Sequence, residues 1–182
     1  MTDAIRHRGP DDEEYYADDV CSLGFRRLSI IDLGGGAQPM FNEDRSLVLV
    51  FNGEIYNYRA IKEELTAAGH VFATRSDSEV LLHGYEEYGE GLLDRLRGMF
   101  AFVIYDKNRR ELFGARDFFG IKPLYHAIVA DSFLFGSEIK SFLHFPGFKK
   151  EMNERALEHY LSFQYSPGPE TFFAGVYKLT PG

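Results

Sequence analysis

Apolar residues along this chain fall into short blocks of two kinds. Residues 47–51 and 99–105 are almost unbroken apolar runs, the pattern of strands buried on both faces. Residues 22–31 are looser, apolar at Leu23, Phe25, Leu28, Ile30 and Ile31, and also predict a strand. Further strands are expected over 111–115, 124–129 and 133–135, separated by short turns. Helical spacing takes over at 58–68, apolar at Ile61 and Leu65 and stopped by Gly69. It returns at 78–88, with Val80, Leu81 and Tyr85 near one face, Asp77 able to cap and Gly89 able to end the helix. Ile139–His144 and Glu154–Phe163 predict two more helices. Residues 1–8 resemble the last turns of a helix ending near Gly9-Pro10, and 176–182 a strand leading into a turn. Runs of strands with helices between and after them favour an α+β fold, sheet covered by helix layers. No repeat or long linker divides the chain, so one domain is expected over residues 1–182.

Composition narrows the possible functions. The 182 residues are 45% hydrophobic and 15% aromatic, enough for a substantial core. A formal net charge of −8 argues against nucleic-acid binding, because no basic excess exists to replace counterions. The longest basic cluster, Lys149-Lys150, reads as a solvated loop. The single cysteine, Cys21, excludes an intramolecular disulfide and suits a reducing, cytoplasmic setting. No apolar run approaches a membrane span and no signal-peptide pattern heads the chain, so no membrane partner is expected.

The densest chemistry lies where the 47–51 strand meets Asn52-Gly53-Glu54. Alone, such a segment is a polar strand-to-helix turn with Asn57 as the next cap. It also offers a side-chain amide donor, an unhindered backbone N–H and a carboxylate within three residues. Two aligned donors can hold a developing oxyanion, and a carboxylate can hold an ammonium. Strand alternation sends Arg26 and Arg27 to opposite faces, one solvated, the other free to reach a site, where its planar fork suits a substrate carboxylate. Asp77, besides capping, could supply a second carboxylate to an amine. Arg116-Asp117 with the turn through Tyr125 reads mainly as structural. Gly34-Gly35-Gly36 reads as a turn, since no Lys-Ser/Thr follows. Glu79 and His83 share a helix face at a spacing metals can use, but no third ligand lies nearby in sequence, so no metal is expected.

Together these segments resemble the glutamine-hydrolysing domain of the asparagine synthetase family, a class II glutamine amidotransferase. The ordered motifs are His7-Arg8-Gly9-Pro10-Asp11, Arg27-Leu28-Ser29-Ile30-Ile31-Asp32, Gln38-Pro39-Met40 and Phe51-Asn52-Gly53-Glu54-Ile55-Tyr56-Asn57. Ser76-Asp77-Ser78-Glu79, Gly98-Met99-Phe100-Ala101-Phe102, Arg116-Asp117, Gly120-Ile121-Lys122-Pro123-Leu124-Tyr125 and Gly136-Ser137-Glu138-Ile139-Lys140 follow. The resemblance implies an N-terminal-nucleophile hydrolase fold, an αββα sandwich of two antiparallel sheets between helix layers. It implies that Arg27 pairs with the glutamine α-carboxylate and that Glu54 and Asp77 hold its α-ammonium. Asn52 Nδ2 and the Gly53 N–H would form the oxyanion hole. It implies a cysteine nucleophile at the first residue, with its own α-amine as base, an amine of pKa about 7.7–8.0. No cofactor is implied in this domain. Ammonia would pass to a synthetase domain that activates aspartate with ATP and Mg2+.

The family begins Met-Cys-Gly, continues through an apolar strand, and reaches His-Arg-Gly-Pro-Asp by a helix. This sequence starts within that helix. The expectation is a piece without the nucleophile strand or the synthetase domain, inactive as it stands, with an open sheet edge that invites self-association. Cys21, at the head of a strand, is expected to be structural, and Thr2 lies on the helix. Two alternatives stay open: an amidotransferase domain feeding another acceptor, and a non-catalytic glutamine-binding module.

Overall fold

The computed structural model describes residues 1–28 and 37–182. The strand expected beyond Leu28, the Gly34-Gly35-Gly36 turn and Asp32 lie outside the described residues. The chain opens with a 3-10 helical stretch, Thr2–Arg8. It continues through β1 (Asp12–Ala17), β2 (Ser22–Arg27), β3 (Met40–Phe41), β4 (Leu47–Ile55), α1 (Tyr58–Ala67) and α2 (Glu79–Tyr88). Then come α3 (Leu92–Arg95), β5 (Gly98–Asp106), β6 (Glu111–Arg116), β7 (Tyr125–Val129) and β8 (Ser132–Gly136). A 3-10 segment Ile139–His144, α4 (Glu154–Phe163) and β9 (Val176–Lys178) complete it. The hydrophobic pattern misses β1, β3 and α3. They are short, and β1 shows no apolar pattern because five of its six residues are exposed.

The central sheet has the order β3-β4-β5-β6, all neighbours antiparallel. One face carries Leu47, Leu49, Phe51 and Ile55 of β4 with Phe100, Phe102 and Ile104 of β5. Ile61 and Leu65 of α1, Val80, Leu81 and Leu82 of α2, and Leu92 of α3 cover that face. On the opposite face Val48, Val50, Ala101, Val103 and Tyr105 meet Leu23 of β2, with Leu124 and Phe135 alongside. Burial from both sides explains why β4 and β5 lack polar alternation. The ladder β8-β7-β9 buries Ala127, Leu134 and Val176 under Phe142 of the 3-10 segment.

The layers thus run helix, sheet, sheet, helix. The expected second sheet is, among the described residues, two ladders: β1-β2 and β8-β7-β9. Leu23 and Phe135 join the same cluster, so side-chain packing links the two ladders where backbone pairing does not.

Candidate functional site

The structure extends β4 to Ile55, so Asn52, Gly53 and Glu54 lie inside a strand and not in a turn. The pairing Asn52↔Ala101, Gly53↔Phe100, Glu54↔Met99 and Ile55↔Gly98 carries the ladder through them. Close approach of the two backbones makes this possible. A Cβ on Gly53, whose φ is +153°, would overlap the Met99 carbonyl oxygen, and one on Gly98 would overlap that of Glu54.

Alternation in an antiparallel strand points every second N–H to the same edge. Here the Phe51 N–H donates to Gln38 Oε1 at 2.6 Å and the Ile55 N–H to Asp77 Oδ2 at 2.8 Å. Gly53 lies between them, its N–H on the edge away from β5. Among the described residues, side chains and not a further strand line this stretch of the edge. Gln38 was part of a motif with no role read for it. The sequence signal is the following Pro39, which has no N–H to give, beside a Gln long enough to substitute for the ladder.

Asn52 shares the face of Val48 and Val50, which looks into the space between the layers. Its Nδ2 is buried and has no hydrogen-bond partner. Glu54 follows on that face. It lies close enough to Asp77 to help raise the Asp77 pKa; burial is the larger cause, and the Ile55 N–H opposes it. The charge of Glu54 is thus felt at the Asp77 carboxylate. Arg27, half-buried, lies on the face of β2 shared by Leu23 and Phe25, which packs toward β4. Asn52, Gly53, Glu54 and Asp77 thus form one cluster at the end of β4, while Arg27 stands at the end of β2 on its inner face.

Three sequence expectations are corrected. Arg26 is not solvated: its side chain is 7% exposed and paired with Asp3, at 2.6 Å, and with Glu13. Asp77 does not cap α2; Ser78 holds the N-cap position and the Asp77 carboxylate turns to Ile55 instead. Asn57 precedes α1 but makes no cap bond; its amide bridges the Arg95 carbonyl and the Arg97 N–H, both at 2.8 Å.

Two charged motifs act on the backbone. Buried Asp117 accepts from the N–H groups of Phe100, Phe119, Ile121 and Lys122 at 2.9–3.2 Å. Burial pushes its pKa up, but these donors outweigh it and hold the carboxyl below the usual range. Arg116 donates to the carbonyls of Lys122, Leu179 and Gly120. The pair staples the 117–123 turn, in line with the structural role read for it. Glu138 gathers His7, Arg8 and Lys140 at 2.9–3.2 Å, tying the first helical stretch to the turn after β8. A Cβ on Gly9 would overlap the Arg26 backbone, which explains a glycine there.

Cys21 is half-buried beside Tyr105, the partner of Val48. Val48 is four residues from Asn52, roughly 13 Å along the strand. Burial, then Asp18, pushes the thiol up to about 11. Cys21 is therefore neither near the Asn52 amide nor ionised at neutral pH. Among the described residues no helix is long and apolar enough to cross a membrane. The expectation of no metal rested on the lack of a third ligand nearby in sequence; in space, Glu43 and His70 lie beside His83.

The comparisons with known proteins agree with this geometry. The glutamine amidotransferase domain family matches residues 1–182, the whole chain. Asparagine synthetase [glutamine-hydrolyzing] 1 of Bacillus subtilis is 50% identical over 182 residues, all of this chain and 29% of that protein. Asparagine synthetase [glutamine-hydrolyzing] 2 of the same organism is 44% identical over 187 residues, all of this chain and 25% of that protein. The chain spans less than a third of the length of either. Among solved structures, the glutamine phosphoribosylpyrophosphate amidotransferase of B. subtilis superposes with a TM-score of 0.57 at 27% identity. That match covers 66% of this chain and 28% of the other. Its α+β architecture is of the N-terminal-nucleophile type, with antiparallel sheets between helical layers. From fold, motif order and full-length match together, the chain belongs to the glutamine amidotransferase domain family, in the form that asparagine synthetases carry.

Proposed function

We propose that this chain is the glutamine-binding and glutamine-hydrolysing part of an asparagine synthetase. In this reading Arg27 pairs with the α-carboxylate of glutamine, and the α-ammonium enters between Glu54 and Asp77. The side-chain carbonyl oxygen then faces Asn52 Nδ2 and the Gly53 N–H. When a nucleophile adds to that carbonyl, the negative charge on oxygen grows, and both donors strengthen as it does. They are fixed before the reaction, so no reorganisation is needed at the moment of attack. The released ammonia serves a synthetase domain, which supplies ATP and Mg2+ chemistry to aspartate.

The observation that carries this reading is the buried Asn52 amide with no partner. A native domain rarely leaves such a donor unmet, because desolvation costs about 1–3 kcal/mol. The Glu54–Asp77 pair supports it independently: Glu54 helps raise the Asp77 pKa, a repulsion that an ammonium beside both would offset. We hold further that residues 1–182 alone do not hydrolyse glutamine, since Cys21 lies far from Asn52 with its thiol protonated.

Calorimetric titration of glutamine into the 182-residue chain tests the site. Binding is expected, weakened at least ten-fold by Arg27→Met and by Asp77→Asn, with no ammonia released. Affinity unchanged in both variants would overturn the site. Ammonia release that disappears in Asn52→Ala would overturn the statement about activity.

A further inference from the structure

Around the middle of α2, the structure gathers residues that the amidotransferase reading does not use. Glu43 follows β3, His70 follows the end of α1, and His83 lies in the middle of α2. One ligand atom from each lies within 4.8 Å of the other two. Each histidine has one ring nitrogen against a carboxylate outside the group. His83 Nε2 is 3.6 Å from Glu79 Oε1 and His70 Nε2 is 3.2 Å from Glu87 Oε2. Their Nδ1 atoms turn to a shared centre. His83 Nδ1 is 3.0 Å from Glu86 Oε2 and 3.6 Å from Glu43 Oε1, and His70 Nδ1 is 3.8 Å from Glu86 Oε2.

This is the arrangement of a metal-binding histidine pair. At His70 an outer carboxylate, Glu87, lies within hydrogen-bond distance of Nε2 and can hold its N–H, which presents the Nδ1 lone pair inward; at His83, Glu79 stands farther out on the Nε2 side. Without an ion, the His83 Nδ1–H donates to Glu86 Oε2; an ion that displaces this proton meets two imidazole nitrogens and two carboxylates. The spacing is near that of an ion's ligands: His83 Nδ1 and Glu43 Oε1 are 3.6 Å apart, and all three ligand atoms lie within 4.8 Å of one another. Ligands of a tetrahedral zinc, with bonds of ~2.0–2.2 Å, lie roughly 3.3–3.6 Å apart. The supports are in place as well. Buried Asn42 donates from Nδ2 to Glu86 Oε1 at 2.8 Å, leaving Oε2 for the centre. Glu79 is held by the Ala73 and Thr74 N–H groups and the Thr74 hydroxyl at 2.6–2.8 Å. The His83 side chain is 2% exposed, so packing holds its ring in place.

We infer that Glu43, His70 and His83, with Glu86 or water as fourth ligand, bind a zinc-like divalent transition-metal ion. Two imidazoles favour such an ion over magnesium or calcium, which take oxygen ligands. The site clips the β3–β4 turn, the end of α1 and the body of α2 together. Its role is structural, and it stands whether or not the chain handles glutamine.

Zinc(II) titrated calorimetrically into the metal-stripped 182-residue chain is the test. One ion per chain should bind saturably, and the thermal midpoint should rise with zinc concentration. Glu43→Gln and His70→Asn lie at exposed and partly exposed positions, and circular dichroism should show both folded. Each should weaken binding at least ten-fold, the scale on which even outer partners act. Cobalt(II) should give the intense visible bands of a tetrahedral site in the unaltered chain only. Failure to bind zinc saturably would overturn the inference, leaving a histidine pair among carboxylates. Equal affinity in the chain and both variants would overturn it too, since the ion would then bind elsewhere.

Discussion

Replacing Asn52 with leucine should stabilise the free chain. Most buried asparagines do the opposite, because their amides are hydrogen-bonded and truncation strands a partner. Here the buried Nδ2 has no partner to strand. Its desolvation is a standing cost of about 1–3 kcal/mol, which leucine of nearly the same shape removes. Leucine also adds apolar surface facing Val50 and Ala101, while its branched end must fit where the planar amide lay. We therefore take the low end, a gain of about 1 kcal/mol. For a chain of this size that corresponds to a rise of about 2–4 °C in Tm, resolvable by calorimetry. A urea series should show a higher midpoint at unchanged slope, separating native-state gain from a change in the denatured state. The same variant should lose its response to glutamine. Gain of stability with loss of function is the mark of a group kept for chemistry. A loss of 1 kcal/mol or more on Asn52→Leu would refute the reasoning, since Nδ2 would then be holding the fold.

Four further outcomes are expected. Gly53→Ala should cost at least about 1–3 kcal/mol in urea unfolding from backbone strain alone, because φ is +153° and the Met99 carbonyl occupies the place of a Cβ. Asp77 has a raised pKa, so its contribution to stability is greatest below the ordinary aspartate value and falls as pH rises through the raised one; Asp77→Asn should remove that fall from the pH–stability curve. Asp117 has a lowered pKa, so it stabilises above the ordinary aspartate value and that contribution is lost as pH drops through the lowered one; Asp117→Asn should cost about 2 kcal/mol or more at neutral pH and flatten the acid limb. Cys21, its thiol pushed up to about 11, should react with iodoacetamide at pH 7 far more slowly than a free cysteine until the chain is unfolded, and equally fast labelling would contradict its burial.

By itself, the sequence determined the elements whose signal is local. The unbroken runs of β4 and β5 could only be strands buried twice. Ile61 with Leu65, and Val80 with Leu81, placed α1 and α2 within a residue of their ends, because a helical face and a terminal glycine are properties of adjacent residues. The motif order was enough to nominate Arg27, Asn52, Gly53, Glu54 and Asp77. What it could not show was which partner a polar group would choose. Asp77 and Asn57 sit where caps belong, yet each turns to a strand or loop distant in sequence, since a buried N–H there costs more unmet than one at a solvated helix end. Arg26 was expected in water, but β1, invisible in the hydrophobic pattern because its side chains are exposed, brings Glu13 against it. The orphaned amide of Asn52 exists only because two sheets close over it. His83 looked solitary for the same kind of reason: its companions Glu43 and His70 are 40 and 13 residues away, and only the packing of α2 against the ends of β3 and α1 makes them neighbours.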